Sequence, residues 1–263
     1  MTRFSALAAL ASIVFLSCSE SSTNTTPDVD ENGITTKGLV VRYKFEGNAV
    51  NAFSGGLDGV PVTGVTWVPG RNAAAGKAAH FDGVAGHIYV PNANATRLEP
   101  TQAMTISFWI NGDRASGKDP WTHIIGKVDN FSDGYLIKWN HDAGTNLDAY
   151  LIQGANAGST PNDRIRLSNS DFIGSWHHLC YVWSMSAMTF TLYVDGVQVS
   201  QKMGCIYRGS HSGNKLYIGG QPYDESGSPR LERTIPGSLD DVRIYDRALT
   251  IAEIAALAGE NKP

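Results

Sequence analysis

The stretch TFTLYVDGVQV, residues 189–199, consists of two runs of strand-forming residues on either side of Asp195-Gly196. A hairpin turn of two residues requires positive φ at its centre, and Asp-Gly is among the pairs that adopt it readily. The stretch therefore predicts two antiparallel strands joined by a tight turn, a unit typical of all-β domains.

Similar short runs of Val, Ile, Tyr, Phe and Trp continue from residue 38 to residue 246, and Gly, Asn, Asp and Pro interrupt them. Glycine makes up 28 of the 263 residues and charged residues only 17%, a composition that suits short strands and tight turns. Because no helical periods separate these runs, they predict a β-sandwich or a β-barrel. The net charge of −4 comes with no basic stripe, so nucleic acid is not an expected partner.

Alternation along two of these runs predicts which side chains face the core. In MTISFWIN, residues 104–111, and YLIKWN, residues 135–140, the inward positions are Met104, Ile106, Phe108, Ile110, Tyr135, Ile137 and Trp139. The opposite face of the first run carries Trp109 among polar residues, a pattern typical of a ligand-binding face. The opposite face of the second run presents Lys138 and Asn140 outward.

One helix is expected near the end of the chain, in TIAEIAALAGE, residues 250–260. Thr250 and Glu253 have the spacing of a capping box, and Gly259 marks the end of the helix. An apolar stripe of Ile251, Ile254 and Leu257 would pack on the domain, and the helix is expected to close one end of the sandwich.

The first 37 residues differ in character from the rest of the chain. One positive charge, Arg3, precedes the thirteen mostly apolar residues Phe4–Leu16, which are too few to span a bilayer as a helix. Ser17-Cys18 follows and resembles a bacterial lipobox, although Phe15 and Leu16 depart from the usual pattern. An ordinary signal peptide with an accidental cysteine is the alternative.

The lipobox interpretation divides the chain into three parts. Residues 1–17 would be a lipoprotein signal peptide, 18–37 a disordered tether with almost no bulky apolar residues, and 38–263 the folded domain. Lipidation of Cys18 would anchor an exported bacterial protein to the cell envelope, at the outer membrane or the cell surface. The lipid anchor would be its only contact with the membrane.

Catalysis is not expected from these residues. Glycosidases need a pair of carboxylates, and no Glu-x-Asp-x-Glu run or Gly-x-Ser-x-Gly elbow occurs. His178 and Cys180 in WHHLC share a face of a strand, but a strand-edge histidine and a buried or bridged cysteine explain them more simply.

Several stretches together resemble LamG-like jelly-roll domains of the concanavalin A-like lectin/glucanase superfamily. They occur in the family's order over residues 38–258: GLVVRYKFEGNAVNAFSGGLDG, AAHFDG, HIYVP, MTISFWI, SWHHLCYVWS, TFTLYVDGVQV, LYIGG and GSLDDVRIYDRALT. The resemblance implies a jelly-roll sandwich of two antiparallel sheets, one of them concave. Members bind glycans, bind protein partners or accompany catalytic domains.

Two functions remain open on this basis. The first is a carbohydrate-binding domain, with aromatic rings stacked on sugars and polar side chains reading hydroxyls, on the concave sheet or its rim loops. The second is a surface domain that binds protein or has a structural role, without a glycan site. The expected ligand-binding residues are Trp109, Trp121, Lys138, Asn140, Tyr150 and Arg164, with further loop candidates at His141, Asp142 and Tyr223.

The two remaining cysteines, Cys180 and Cys205, would meet an oxidising compartment after export. A disulfide between them is expected, and a pair of buried thiols is the alternative.

The resemblance also implies a structural calcium ion between the first and last strands. The matching positions are Glu46, Asn48, Asp82, Asp240 and Asp241, while Asn51 stands where the family often has Asp. Adjacent Asp240 and Asp241 would point to opposite faces of a strand, so only one could bind the ion. The alternative is that these aspartates pair with arginines such as Arg243 or Arg247.

Overall fold

The computed structural model describes residues 28–53, 56–72, 76–91, 96–99, 101–113, 121–129, 133–140, 146–152, 163–168, 171–207, 215–222 and 233–260. The predicted signal peptide, Cys18, His141, Asp142 and Tyr223 lie outside these residues. Within the described part of the chain, no helix is both long enough and apolar enough to cross a membrane.

The strands form two antiparallel sheets that pack face to face. The strands of the first sheet are β1 (Leu39–Tyr43), β3 (Val65–Pro69), β4 (Lys77–Asp82), β6 (Ala103–Gly112), β11 (His177–Ser184), β12 (Thr189–Val194), β13 (Val197–Met203) and β15 (Pro236–Tyr245). The strands of the second are β2 (Val60–Pro61), β5 (Ile88–Val90), β7 (Trp121–Asp129), β8 (Asp133–Asn140), β9 (Asn146–Ile152), β10 (Asp163–Ser168) and β14 (Leu216–Ile218). The expected jelly-roll sandwich is confirmed.

Strand order places residues from distant parts of the chain side by side. The first sheet runs β13-β12-β11-β6-β15-β4-β3, with β1 also paired to β15, and the second runs β10-β9-β8-β7-β14-β5-β2. A 3₁₀ turn at Thr96–Leu98 and helix α1 at Ile251–Gly259 complete the secondary structure of the described residues.

The predicted hairpin joins β12 to β13. Asp195 and Gly196 have φ values of 50° and 81°, the positive values that a tight two-residue turn requires. All seven residues assigned to the core by alternation belong to the main apolar cluster between the sheets. Local patterning therefore predicted both the turn and the inward faces of β6 and β8.

The helix has the predicted cap but a different position. The Thr250 side chain accepts from the Glu253 backbone N–H, and the Glu253 carboxylate accepts from the Thr250 N–H. Ile254 and Leu257 pack on the outer face of the first sheet with Cys180, Tyr193 and Tyr245, rather than closing an end of the sandwich. Ile251 is 68% exposed, so its place in the predicted stripe was wrong.

The domain begins earlier than predicted, because residues 28–37 pack against it. Ile34 is buried in the cluster under the helix. The Asp30 carboxylate lies 2.8 Å from Arg42 Nη1 and 3.1 Å from Arg243 Nη1. The burial of Ile34 and the ion pairs of Asp30 hold this segment on the domain. Residues 28–37 are therefore not a disordered tether.

The predicted disulfide is not present, and Cys180 and Cys205 are free, buried thiols. Cys180 lies on the outer face of the first sheet under the helix, whereas Cys205 belongs to the core between the sheets. The two side chains are in different layers, so pairing them would require backbone movement.

Candidate functional site

A cleft of about 260 Å³ lies on the outer face of the second sheet. Its lining side chains are Trp121, Lys138, Tyr150, Arg164, Arg166 and Arg233. Four of these are among the six ligand-binding residues expected from the sequence, and Arg166 and Arg233 are additional.

Adjacent strands bring these side chains together. Trp121 begins β7, Lys138 lies in β8, Tyr150 in β9, and Arg164 and Arg166 in β10. Their strand neighbours Ile137, Trp139, Ala149, Leu151 and Ile165 point into the core. Alternation therefore turns the lining residues outward. Asn140 is opposite Trp121 in the β7–β8 ladder but does not line the cleft.

A buried carboxylate orients one of the arginines. Asp148 has no exposed surface, and both its oxygens accept from Arg166, at 2.7 Å from Nε and 2.7 Å from Nη2. This contact raises the pKa of Arg166, and burial raises the pKa of the Tyr150 hydroxyl. The paired geometry holds the Arg166 guanidinium in one orientation at the side of the cleft.

Cations lie over both aromatic rings of the cleft. Lys138 Nζ is 5.7 Å from the centre of the Tyr150 ring and Arg164 Cζ is 6.0 Å from it. Arg166 Cζ is 5.9 Å from the centre of the Trp121 ring. These are cation–π distances, so the rings stabilise positive charge at the cleft in addition to offering apolar surface.

Trp109 does not belong to this cleft. It lies in the first sheet and is only 2% exposed, with Arg71 Cζ 5.0 Å from its ring centre and the His178 ring 5.3 Å away. The expectation that it faces a ligand was wrong, because Arg71 covers that face of β6.

A second cleft, of about 240 Å³, contains three of the five expected calcium ligands, Glu46, Asp240 and Asp241. The expectation that Asp240 and Asp241 point to opposite faces was wrong. The β6–β15 register shifts between Asp240 and Arg243, and Asp241 has a φ of 44°. This bulge turns both carboxylates toward Arg71, at 4.0 Å and 3.6 Å.

The two aspartates have opposite environments. Asp241 accepts from Arg42 Nε at 2.8 Å and from Arg243 Nε at 3.0 Å, and these arginines hold its pKa below the usual range despite burial. Asp240 accepts a long bond from the Arg71 N–H, at 3.5 Å, and burial raises its pKa to about 7. Asp241 therefore pairs with Arg243, as the alternative to calcium binding predicted. Arg247, the other arginine named there, pairs with Glu253 instead.

Asn48 and Asp82 do not reach the second cleft. Asn48 Oδ1 accepts from the Val50 N–H, and Asp82 Oδ1 accepts from the N–H groups of Val84, Ala85 and Gly86. Within the described ranges no three His, Cys, Asp or Glu side chains form a metal-binding group. An ion here would depend on Glu46 and Asp240 together with backbone oxygens and water.

His178 and Cys180 share the outer face of β11, but neither has the ionisation of a catalytic pair. Burial lowers the pKa of His178 to about 3 and raises that of the Cys180 thiol. His178 Nε2 lies 2.8 Å from Ser107 Oγ. A nucleophilic cysteine requires a lowered thiol pKa, so these residues fit the structural interpretation.

Comparison with known proteins supports the jelly-roll assignment. Over 163 residues the chain is 24% identical to C-reactive protein 1.1 of Limulus polyphemus, covering 61% of this chain and 63% of that protein. The chain thus spans about three fifths of this relative's length.

Two solved structures share the fold. Domain 4 of AbnA, a GH43 extracellular arabinanase from Geobacillus stearothermophilus solved with arabinotriose, superposes with a TM-score of 0.59 at 19% identity, over 84% of this chain and 98% of that one. The binding domain of botulinum neurotoxin DC, solved with SialylT, gives 0.63 at 15% identity, over 85% and 52%. Residues 81–255 of this chain match a sequence model of a protein family in the concanavalin A-like lectin/glucanases superfamily. The chain therefore belongs to the concanavalin A-like lectin/glucanases superfamily.

Proposed function

We propose that this protein is a non-catalytic carbohydrate-binding domain displayed at the cell surface, and that it binds sugar in the cleft on the second sheet. The observation that carries the proposal is the convergence of Trp121, Lys138, Tyr150 and Arg164 from four neighbouring strands on one cleft. Aromatic surface surrounded by fixed hydrogen-bond donors suits the alternating apolar and hydroxyl surfaces of a sugar. Domain 4 of AbnA, which shares the fold, was solved with arabinotriose.

A glycan array probed with the full-length protein tests this proposal. We expect binding to a defined set of glycans, lost in Trp121→Ala and retained in Tyr89→Ala. Tyr89 is a matched control because it is a half-buried ring in β5 of the same sheet. Absence of glycan binding, or equal binding by Trp121→Ala, would favour a protein-interaction or structural surface domain. Release of reducing sugar from a bound glycan would contradict the non-catalytic assignment.

The proposal places the domain on a lipid anchor at Cys18. The support is the sequence alone, because this residue lies outside the described ranges. Cys18→Ala should move the protein from the membrane fraction to the soluble fraction, or leave it unprocessed. Unchanged fractionation with membranes would contradict the anchor.

We also propose a structural calcium ion in the second cleft, held by Glu46 and Asp240. Asp240 is a buried carboxylate whose contacts with Arg71 are long, and Glu46 lines the same cleft. An added Cβ at Gly70 would lie 3.1 Å from Asp240 Oδ2, and one at Gly76 would lie 3.1 Å from Glu46 Oε1. Glycine at both positions therefore leaves the two carboxylates accessible to a cation.

Thermal melts in EDTA and in added Ca²⁺ test this site. Binding to the native state alone would stabilise it by about 2.7 kcal/mol at a hundred times Kd. We expect Glu46→Gln and Asp240→Asn to abolish the shift and Asn48→Ala to preserve it. A melting temperature that calcium leaves unchanged in the wild-type protein would refute the proposal.

A further inference from the structure

A single buried carboxylate contacts two side chains that line the cleft on the second sheet. Asp148 lies in β9 on the face opposite to Leu147 and Ala149, which point into the core, yet its side chain has no exposed surface. It accepts two hydrogen bonds from Arg166, from Nε and Nη2 at 2.7 Å each, and one from the Tyr150 hydroxyl at 3.2 Å. Asp148 therefore lies beneath the cleft and holds part of its lining in place.

This contact occupies only one edge of the Arg166 guanidinium. The Arg166 side chain is 37% exposed and lines the cleft, whereas Asp148 is fully buried, so the exposed part of the guanidinium is the part turned away from the carboxylate. Within the described ranges, the guanidinium makes no further hydrogen bond. Of its five N–H groups, one on Nη1 and one on Nη2 lie side by side at this outer end and can donate to a ligand.

Asp148 also offsets the charge of Arg166. The contact raises the pKa of Arg166, so the guanidinium stays protonated and the two side chains together carry no net charge. An arginine without such a partner favours anions, because its paired hydrogen bonds then join opposite charges. An arginine that already has a carboxylate gains less from an anion, while its remaining N–H groups still donate to neutral oxygens.

The outer end of the guanidinium lies next to an aromatic surface. Arg166 Cζ is 5.9 Å from the centre of the Trp121 ring. A saccharide presents apolar C–H faces beside hydroxyl groups, and two hydroxyl oxygens on neighbouring carbons match two parallel N–H donors. Aromatic surface and paired donors are thus available to one sugar ring at this side of the cleft.

We propose that Asp148 is a specificity-determining residue of this cleft: because it holds and neutralises Arg166, the guanidinium reads two neighbouring hydroxyl groups of a saccharide instead of an acidic group. Asp148 acts as a positioning residue and does not itself touch the ligand. This inference rests on the proposed carbohydrate-binding function and assigns the chemical group that is recognised at Arg166.

The first experiment compares Arg166→Gln and Arg166→Lys with the wild-type full-length protein on an array of neutral, uronate-bearing and sulfated glycans. We expect wild-type protein to bind neutral glycans, and both variants to bind the same glycans about tenfold more weakly or worse. The two variants should agree within about twofold, because lysine keeps the charge but lacks the planar pair of N–H donors. Wild-type binding by Arg166→Lys would show that charge alone matters and would overturn the proposal.

The second experiment places Asp148→Asn on the same array. Asparagine removes the negative charge and one of the two acceptor oxygens, so neutral glycans should bind about tenfold more weakly or worse. The signal from acidic glycans should rise relative to that from neutral ones, because the Arg166 charge is no longer offset. Adding Asp148→Asn to Arg166→Gln should weaken binding by no more than about a further twofold, since Asp148 acts through Arg166.

Asp163→Asn is the matched control. Asp163 is a largely buried carboxylate on the same strand as Arg166, but it pairs with Lys202 Nζ at 3.1 Å and accepts from the Ile206 N–H at 3.1 Å, outside the cleft. This variant should keep the wild-type array profile even where its melting temperature falls. Melting curves identify any variant that is unfolded, and the Arg166 variants replace a partly exposed side chain, so they test the proposal even if Asp148→Asn does not fold.

The remaining outcomes separate this inference from the proposed function. Equal array profiles of Asp148→Asn and wild-type protein, or a parallel loss of neutral and acidic signals in folded Asp148→Asn, would overturn the role of Asp148 and keep carbohydrate binding. Wild-type binding to acidic glycans alone, lost in Arg166→Gln, would do the same. Binding of wild-type protein to no glycan on the array would overturn both the proposed function and this inference.

Discussion

The second cleft is bounded by a network of buried charges around Arg243. This side chain has no exposed surface and lies 2.9 Å from Asp241, 2.6 Å from Glu260 and 3.1 Å from Asp30. These carboxylates come from the start of the domain, from β15 and from the residue after α1. Arg42 is the other cation that pairs with all three. Removing Arg243 would leave three buried carboxylates with too little positive charge, which costs far more than the loss of an exposed pair.

We therefore expect Arg243→Met to lower the free energy of unfolding by about 3–5 kcal/mol in denaturant titrations. Arg97→Met is the matched control, because Arg97 pairs with Asp246 at 2.8 Å at a largely exposed position. Its cost should be about 1 kcal/mol or less. Equal effects of the two substitutions would show that the buried network does not stabilise the fold.

The lowered pKa of His178 predicts how the stability of the fold depends on pH. Burial lowers its pKa to about 3 from an ordinary value of 6.5; Arg71 and Arg243 act in the same direction, and Asp195 and Asp241 oppose them. Between these values the unfolded chain binds a proton that the folded chain does not, so stability falls as the pH drops from about 6.5 toward 3.

His178→Gln can keep a hydrogen bond to Ser107 but cannot take up that proton. The difference in unfolding free energy between wild-type protein and variant should therefore shift in favour of the variant as the pH falls from 7 to 4.5. Denaturant titrations at each pH measure it. A difference that stays constant across this range would mean that the His178 pKa is not lowered.

At the scale of the element, helix α1 packs on the first sheet through Ile254 and Leu257, without the third member of the predicted apolar stripe. Ile254 has no exposed surface and packs with Leu257 on the outer face of the first sheet, whereas Ile251 is 68% exposed. Both positions carry isoleucine, so the same substitution at each changes helix propensity equally. Any difference between the two in unfolding free energy then reports the packing of Ile254.

Ile254→Ala should cost about 2–5 kcal/mol, as expected for a large residue removed from a core. Ile251→Ala should change stability by less than about 0.5 kcal/mol, since exposed substitutions usually do. Thermal and chemical unfolding measure both. A large effect at Ile251 would mean that the helix packs through the stripe predicted from the sequence.

At the scale of the whole molecule, the beginning and end of the described chain meet. Asn32 donates to Glu260 at 2.6 Å, and Arg42 connects Asp30, Asp241 and Glu260. Residues 28–37 are therefore a structural part of the sandwich, and the domain boundary placed at residue 38 divides this network.

A chain that begins at residue 28 should unfold at the same temperature as the longer protein, and one that begins at residue 38 should unfold at a lower temperature. The shorter chain loses buried Ile34 and leaves Arg42 and Arg243 without Asp30, a combined cost of about 3–5 kcal/mol. Equal melting temperatures would contradict the assignment of residues 28–37 to the domain.

The sequence by itself determined the features that depend on neighbours in the chain. Alternation decided that Ile137 faces the core and that Lys138 lies on the opposite face of β8, although Lys138 is buried there. Asp195-Gly196 decided the hairpin, and Thr250 with Glu253 decided the helix cap. These follow from backbone geometry over a few residues, which local patterns report directly. For the same reason four residues of the candidate cleft could be predicted as outward polar or aromatic positions.

Only the tertiary structure decided which of these positions meet and which are covered. Trp109 alternates as an exposed residue would, but Arg71, distant in the chain, lies over it. Arg166 and Arg233 join the cleft, and Cys180 and Cys205 occupy different layers, because strand order is set by packing of the two sheets. The bulge at Asp241 turns two adjacent carboxylates to one side, since pairing across β6 and β15 overrides the simple alternation of a strand.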